Sequence, residues 1–352
     1  MVKVFFLGGT GHIGGEVINA IVKRFPGIEI TTLVRDDKKG ARLTEKFPTI
    51  KTIIGDLESF DVIEKASRDA GIVINCAPDI PHARTTHAIT RGLSSSSPSP
   101  PTFLIHTSGA GLTWTAPTGT HDPSPPAIWS DTASLPAILS APRTALHAPE
   151  DAAVRAAHPS VRVAIVSPTA VYGLSASPVH PAPVTLPDTV RAMRALGAGF
   201  TVARGDNLHG WVHVADLARI YVGLLADAVA VRTSGGGREP DRRLWGPEAY
   251  FFAVGEELAF REWMAVLVPE VRRRGGIPEE RVVEVDFARA VRAVVEGGGV
   301  AEHSEAQALL FGAEMRCRSD RARELLGWVP RGEGGVRAAV GEVVDVLFES
   351  GF

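Results

Sequence analysis

Residues 8–14 read Gly-Gly-Thr-Gly-His-Ile-Gly, directly after the apolar run Val4-Phe5-Phe6-Leu7 and directly before the helical pattern at 16–22. A strand, a glycine turn and a helix start in that order make a cradle for a pyrophosphate. Gly8 and Gly11 allow the tight turn and the close approach of backbone to phosphate, and Gly14 lets helix and strand pack closely. The N–H groups of the helix start, around His12 and Ile13, face the negative charge. The spacing predicts dinucleotide binding.

A glycine triplet alone is a weak signal, so its companions decide. Ile30-Thr31-Thr32-Leu33-Val34 reads as a second strand, about 20 residues beyond the glycines, where dinucleotide folds carry the residue that contacts the adenosine ribose. That residue is Arg35. A carboxylate there would accept hydrogen bonds from a free 2′-hydroxyl, whereas an arginine pairs with a 2′-phosphate, and Lys38 and Lys39 follow at the same corner. NADP(H) is therefore favoured over NAD(H). Asp36 and Asp37 leave a second reading open, a solvated loop of mixed charge.

The elements that must position these groups alternate as a doubly wound parallel sheet demands. Thr52–Leu57 reads as the third strand and Gly71–Ala77 as the fourth, each ending on polar or small residues. Ligands of such sheets sit outside the carboxyl ends of the strands. Asp56 and Leu57 are thereby expected beside the adenine, and Asn75, Cys76 and Ala77 along the middle of the cofactor. Thr102–Gly109 is the fifth strand, and Val161–Pro168 the sixth, continuing into Thr169–Gly173.

The chain has 352 residues and a net charge of −3, enough for a cofactor domain plus a smaller lobe and no electrostatic reason to expect nucleic acid. Two cysteines, Cys76 and Cys317, are too few for a disulfide framework and lack metal-ligand spacing, so no metal is expected and a reducing cytoplasm is. No apolar stretch approaches the roughly 18 residues of a membrane span, and the first one is followed at once by glycines, unlike a signal peptide.

Six landmarks now stand in order: the glycine turn, Val34-Arg35, Gly55-Asp56-Leu57, the run Ser167 to Gly173, the run Trp211 to Leu217, and Ser319 to Pro330. With them the chain resembles an extended or atypical short-chain dehydrogenase/reductase of the NAD-dependent epimerase/dehydratase group, most of all fungal proteins, many of them in secondary metabolism. The resemblance implies an α/β fold, a doubly wound parallel Rossmann sheet with a smaller, discontinuous C-terminal substrate lobe. Its implied bounds are 1–173 and 210–228 for the NADP-binding domain, and 174–209 and 229–352 for the lobe. Helices four and five form the dimer interface in many such folds, so a homodimer is in view.

The resemblance also implies where the chemistry lies, and there the sequence departs. Relatives that move hydride carry a Tyr-x-x-x-Lys pair on the helix between strands five and six, and a Ser or Thr at the end of strand five. None of Tyr172, Tyr221 and Tyr250 has a lysine four residues later. Counting back from Ser167-Pro168 puts the pair at Arg143 and His147, one turn apart on a surface helix, while Gly109 falls at the hydroxyl position with Ser108 its nearest hydroxyl. Arginine stays charged and cannot donate the proton, but it can hold an oxyanion. His147 titrates near neutrality and can do acid–base work, although a solvated Arg/His pair is the plainer reading.

Ser167, Pro168 and Thr169 are expected beside the nicotinamide. His82, Tyr172, Trp211 and His213 are candidate walls of the substrate pocket, each with a structural alternative: a loop histidine, or an aromatic floor. Cys76 reads better as a small filler than as a nucleophile. The Ser/Pro run at 94–101 is expected as an exposed loop, and 115–126 as a lid. Three functions stay open. They are an NADP(H)-dependent oxidoreductase of a small carbonyl, imine or conjugated alkene, a redox-neutral isomerase, epimerase or cyclase, and a non-catalytic NADP sensor. A small-molecule substrate is expected in the first two, with neither nucleic acid nor membrane as a partner.

Overall fold

The computed structural model describes residues 1–77, 82–95, 100–123, 128–332 and 334–351, apart from the side chains of residues 301–304, 306 and 307. The first half alternates strictly: β1 (Lys3–Leu7), α1 (His12–Arg24), β2 (Glu29–Val34), α2 (Asp37–Lys46), β3 (Lys51–Ile54), α3 (Phe60–Ala70), β4 (Ile72–Asn75), α4 (Ala83–Ser94) and β5 (Thr102–Thr107). A short strand β6 (Trp129–Ser130) and two short helices, α5 (Leu135–Leu139) and α6 (Ala148–Arg155), lead to β7 (Val161–Pro168).

The second half begins with β8 (Ala170–Tyr172), α7 (Thr185–Leu196), β9 (Gly199–Val202), β10 (Leu208–His213) and the long helix α8 (Val214–Thr233). β11 (Tyr250–Ala253), β12 (Glu256–Ala259), α9 (Phe260–Arg273), β13 (Val282–Val285), α10 (Phe287–Glu296), α11 (Ala301–Gly312), β14 (Cys317–Arg318), α12 (Asp320–Leu326) and α13 (Gly335–Glu349) complete the chain.

Seven strands form one sheet in the order β11-β7-β5-β4-β1-β2-β3, every pair parallel. Strands buried on both faces read as continuous apolar runs, as Val4-Phe5-Phe6-Leu7 and Ile72-Val73-Ile74 do, because helices cover each side. One core, with Ile18, Tyr221 and Leu224, lies under α1 and α8. The other, with Ile89 and Val154, lies under α4 and α6 and runs on into the helices of the second half, where Phe200, Phe260 and Phe311 stack on one another.

The fold is therefore the doubly wound sheet the alternation predicts, with one strand more than the reading found. Val171-Tyr172 leaves the main sheet to pair with β10, so it does not continue β7. The two stretches read as a loop and a lid fall partly outside the described residues, at 96–99 and 124–126. The described part of the second is stitched down. Thr115 N–H donates to Glu314 O at 3.2 Å and Gly119 N–H to Gly312 O at 2.8 Å, while His121 Nδ1 meets the Glu314 carboxylate at 2.7 Å. No described helix is long and apolar enough to cross a membrane.

Candidate cofactor and active site

The glycine turn joins β1 to α1 at the carboxyl edge of the sheet. Gly8 has φ +81°, and a Cβ on it would lie 2.5 Å from Cys76 O, so the turn can sit against β4 only without a side chain. A Cβ on Gly14 would lie 2.1 Å from Gly8 O. Gly11 caps α1 without a side chain, and no side chain caps that end, so the first-turn N–H groups remain available to a phosphate. These features fit a dinucleotide pyrophosphate.

The His12 side chain takes no part in that cradle. Its Nε2 lies 2.8 Å from Gly173 O, and burial pushes its pKa down to about 4. The segment after Gly173 crosses over the turn: Ser177 Oγ donates to Thr10 O at 2.8 Å, and Arg42 donates to Pro178 O. Ile13 is half-buried, packed against the core under α1 and α8. Arg35 is exposed at the end of β2, and the Asp36 carboxylate beside it is turned to α2, whose Lys39 N–H it accepts at 2.8 Å.

Several of the expected cofactor contacts also hold partners within the protein. Asp56 accepts from Ser59 Oγ at 2.9 Å and from Glu58 N–H at 3.0 Å, and these bonds hold its carboxyl below the usual range. It shapes the turn into α3. Leu57 is half-buried against the core, and its carbonyl accepts from Thr85. Asn75 is buried, with Nδ2 3.2 Å from His106 Nδ1 and Oδ1 accepting Ala77 N–H at 3.1 Å. Burial pushes the Cys76 thiol up to about 12, as suits a filler. Ser167 accepts from the Tyr250 hydroxyl at 3.0 Å, Thr169 donates to Ala253 O at 3.0 Å, and Pro168 pairs with Ala253. The Ser167 and Thr169 hydroxyls thus both meet β11.

Position 143 and position 147 do not share a helix face. Pro149 suits only the first turn of α6, so the helix starts at Ala148 with His147 as its cap at φ +67°. Arg143 lies in the preceding turn and is exposed. The His147 ring turns inward instead of to solvent: its Nε2 comes within 2.5 Å of where a Cβ on Gly109 would stand. Burial pushes its pKa down to about 4, so the imidazole is neutral at pH 7.

Ser108, the hydroxyl nearest the end of β5, is paired with an acid that the spacing does not point to. Its Oγ donates to Asp151 Oδ2 at 2.9 Å, and both residues are buried. Asp151 comes from the first turn of α6, where an acidic residue reads only as a complement to the helix dipole. Burial pushes its carboxyl up to about 7, opposed by the Ser108 hydroxyl. Tyr250 stands alongside on β11, and a cavity of about 230 Å³ opens between α5, α6 and that strand. Asp151, Tyr250, Arg143 and Arg155 line it with aliphatic side chains. Asp151 and Tyr250 were not legible as site residues, because their neighbours are distant in sequence.

Of the remaining pocket candidates, Tyr172, Trp211 and His213 gather on the paired strands β8 and β10, while His82 stands at the start of α4. His82 is the cap of α4, 2.7 Å from the Glu58 carboxylate and 2.7 Å from Thr85 Oγ1. The stretch 78–81 before it lies outside the described residues. His213 caps α8, with Nδ1 accepting Ala215 N–H at 3.2 Å, and its ring packs on Gly173 and Tyr172. Tyr172 and Trp211 line a second, narrow apolar cavity of about 30 Å³ against α13.

Comparison with known proteins agrees with this architecture. Residues 8–96 match a family described as NAD(P)H-binding. Over 342 residues the chain is 26% identical to an oxidase, ucsJ, of Acremonium sp, covering 94% of this chain and 93% of that protein. Among solved structures it superposes on DesIV, a dTDP-glucose 4,6-dehydratase from Streptomyces venezuelae with NAD and TYD bound, with a TM-score of 0.61 at 16% identity, covering 99% of this chain and 97% of that one. A UDP-glucose 4-epimerase from Thermotoga maritima gives 0.60 at 12% identity and 100% of both chains. The chain thus shares the fold of these dehydratases and epimerases, its first quarter is similar to an NAD(P)H-binding family, and an oxidase is among the proteins it resembles along nearly its whole length.

Proposed function

We propose that the chain is an NADP(H)-dependent oxidoreductase of atypical short-chain dehydrogenase/reductase type, acting on a small organic carbonyl, imine or conjugated alkene. The observation that carries this reading is the buried pair Ser108–Asp151 at the carboxyl end of β5, in a fold whose glycine turn fits a dinucleotide. The full-length similarity to an oxidase supports redox chemistry in particular.

Bound at the glycine turn, the dinucleotide supplies or accepts a hydride at C4 of its nicotinamide. The first turn of α1 holds the pyrophosphate, and Arg35 pairs with the 2′-phosphate. In reduction, the Ser108 hydroxyl would turn its proton from Asp151 to the substrate oxygen or nitrogen, and the protonated Asp151 carboxyl would then donate to the Ser108 oxygen in its place and replenish the proton. Asp151 takes the place of the missing Tyr-x-x-x-Lys, because a carboxyl held near 7 has a proton to give at neutral pH. His147, neutral, serves as a fixed hydrogen-bonding group beside Gly109 and not as the proton source.

Stereospecifically deuterated NADPH tests the proposal. Incubation with small ketones, imines and enones should place deuterium in the product. Conversion without deuterium would move the assignment to a redox-neutral isomerase, epimerase or cyclase, and binding without any conversion would move it to a sensor.

A further inference from the structure

The 230 Å³ cavity beside Asp151 has a composition that selects a ligand. Its walls are aliphatic, from Leu112, Ile138 and Ala148 among others, with the ring of Tyr250 on one side. Asp151 is buried and lines it, and its Oδ1 makes no hydrogen bond to any described residue while Oδ2 is fixed by Ser108. A buried polar atom left without a partner is costly unless a ligand or water completes it. Arg143 and Arg155 contribute two cations. Arg155 is anchored through Nε to Pro247 O and through Nη1 to Leu139 O, whereas Arg143 is exposed.

We infer that this cavity binds a small organic acid with an apolar body, its carboxylate drawn to Arg143 and Arg155 and a carbonyl or hydroxyl oxygen meeting Asp151. The inference deepens the function proposed above, on which it rests for treating the ligand as a substrate. Two arginines against one carboxyl make the cavity attractive to an anion when that carboxyl carries its proton. The volume, below the range of pockets for drug-sized ligands, fits a single ring or a short branched chain.

The groups that bear on Asp151 are Glu150 and Arg155 of its own helix, the Tyr250 hydroxyl from β11 and the Ser108 hydroxyl from the end of β5. From α4, which also packs on α6, Thr86 reaches Glu150 rather than Asp151. Asp151 is pushed up to about 7 by burial, so anion binding should weaken as pH rises past that point.

Calorimetric titration of the cofactor-free chain with phenylpyruvate, and with phenylacetaldehyde as the analogue lacking the carboxylate, tests this without any turnover. Phenylpyruvate should bind at least tenfold tighter than the aldehyde. Arg143→Ala should remove roughly tenfold of that affinity. Wild-type affinity should fall roughly tenfold between pH 6 and pH 8.5, whereas Asp151→Asn, an isostere of the protonated acid, should bind with no such fall. Unchanged melting of Asp151→Asn at pH 6 and retained NADPH binding show that the variant is folded. Equal binding of both probes, absence of binding, or a pH fall that persists in Asp151→Asn would each overturn the inference. Because no hydride moves in this assay, failure of the deuterium experiment leaves its result standing.

Discussion

The imidazole of His147 occupies the space that a side chain at Gly109 would need: a Cβ there would meet His147 Nε2 at 2.5 Å and Cδ2 at 2.9 Å. His147 is the N-cap residue of α6 and its backbone is held at φ +67°, so the ring itself would have to shift. Gly109→Ala should therefore destabilise the fold by about 1–3 kcal/mol and disturb the end of β5, where Ser108 stands. His147→Ala in the same chain should restore much of the lost stability. Thermal melts of the two single variants and the double variant give the coupling, and additive effects would disprove the collision.

Acid stability follows from histidines that are buried or, at His147, half-buried. His12, His147 and His209 are pushed down to about 4 and His106 to about 3, chiefly by burial. For a histidine with a depressed folded pKa, the contribution is full above its unfolded value of 6.5 and is lost as pH falls toward 4. Asp131 and Asp151, pushed up to about 7, work the other way, losing stability as pH rises from 3.8 to 7. Four histidines outweigh two aspartates, so the melting temperature should climb from pH 4.5 to 6.5. The climb should steepen in Asp131→Asn. A flat profile would show that these groups are not buried as described.

Arg35 should set cofactor choice. A charge-assisted pair with a 2′-phosphate contributes on the order of 1.5–3 kcal/mol, so NADPH should bind at least about tenfold tighter than NADH. Arg35→Ala should erase the difference and leave NADH affinity alone. Fluorescence titration of the two reduced cofactors reads both numbers, and equal affinity in the wild type would remove the role.

Turnover should depend on the buried acid. Asp151→Asn keeps the shape but has no proton to pass to Ser108, so kcat for reduction should drop by about a hundredfold or more. In the wild type, kcat should decline as pH rises through about 7, the value to which burial brings Asp151. A variant that reduces at the wild-type rate would show that the proton comes from elsewhere. His147→Gln, which keeps a neutral hydrogen-bonding group, should lose less than His147→Ala.

How much of this was legible in the sequence depended on how far each signal reached along the chain. Gly8, Gly11 and Gly14 announce their turn because the constraint is local, and the apolar runs of β1, β4 and β7 are long enough to stand out. Counting residues placed Arg143 and His147 on one helix, but Pro149 fixes the helix start after both, and the reading gave proximity where the fold gives opposite fates. Asp56, Asn75 and Thr169 sit at the expected strand ends, yet local donors and neighbouring strands occupy their side chains. Asp151 could not be found by spacing. It becomes a site residue through burial against Ser108, 43 positions away.

The last strand of the main sheet carries a consequence for how the chain reaches its native state. Tyr250 is hydrogen-bonded to Ser167 across 83 positions, and β11 closes the edge of a sheet whose first five strands lie within residues 3–107. Until that late segment arrives, β7 is an open edge, an apolar template for pairing with another chain. Formation of the native sheet waits on a long-range contact, which makes folding slow and leaves the nascent N-terminal part exposed to aggregation. A fragment cut before residue 250 would keep the glycine turn and lose the strand that flanks its chemistry.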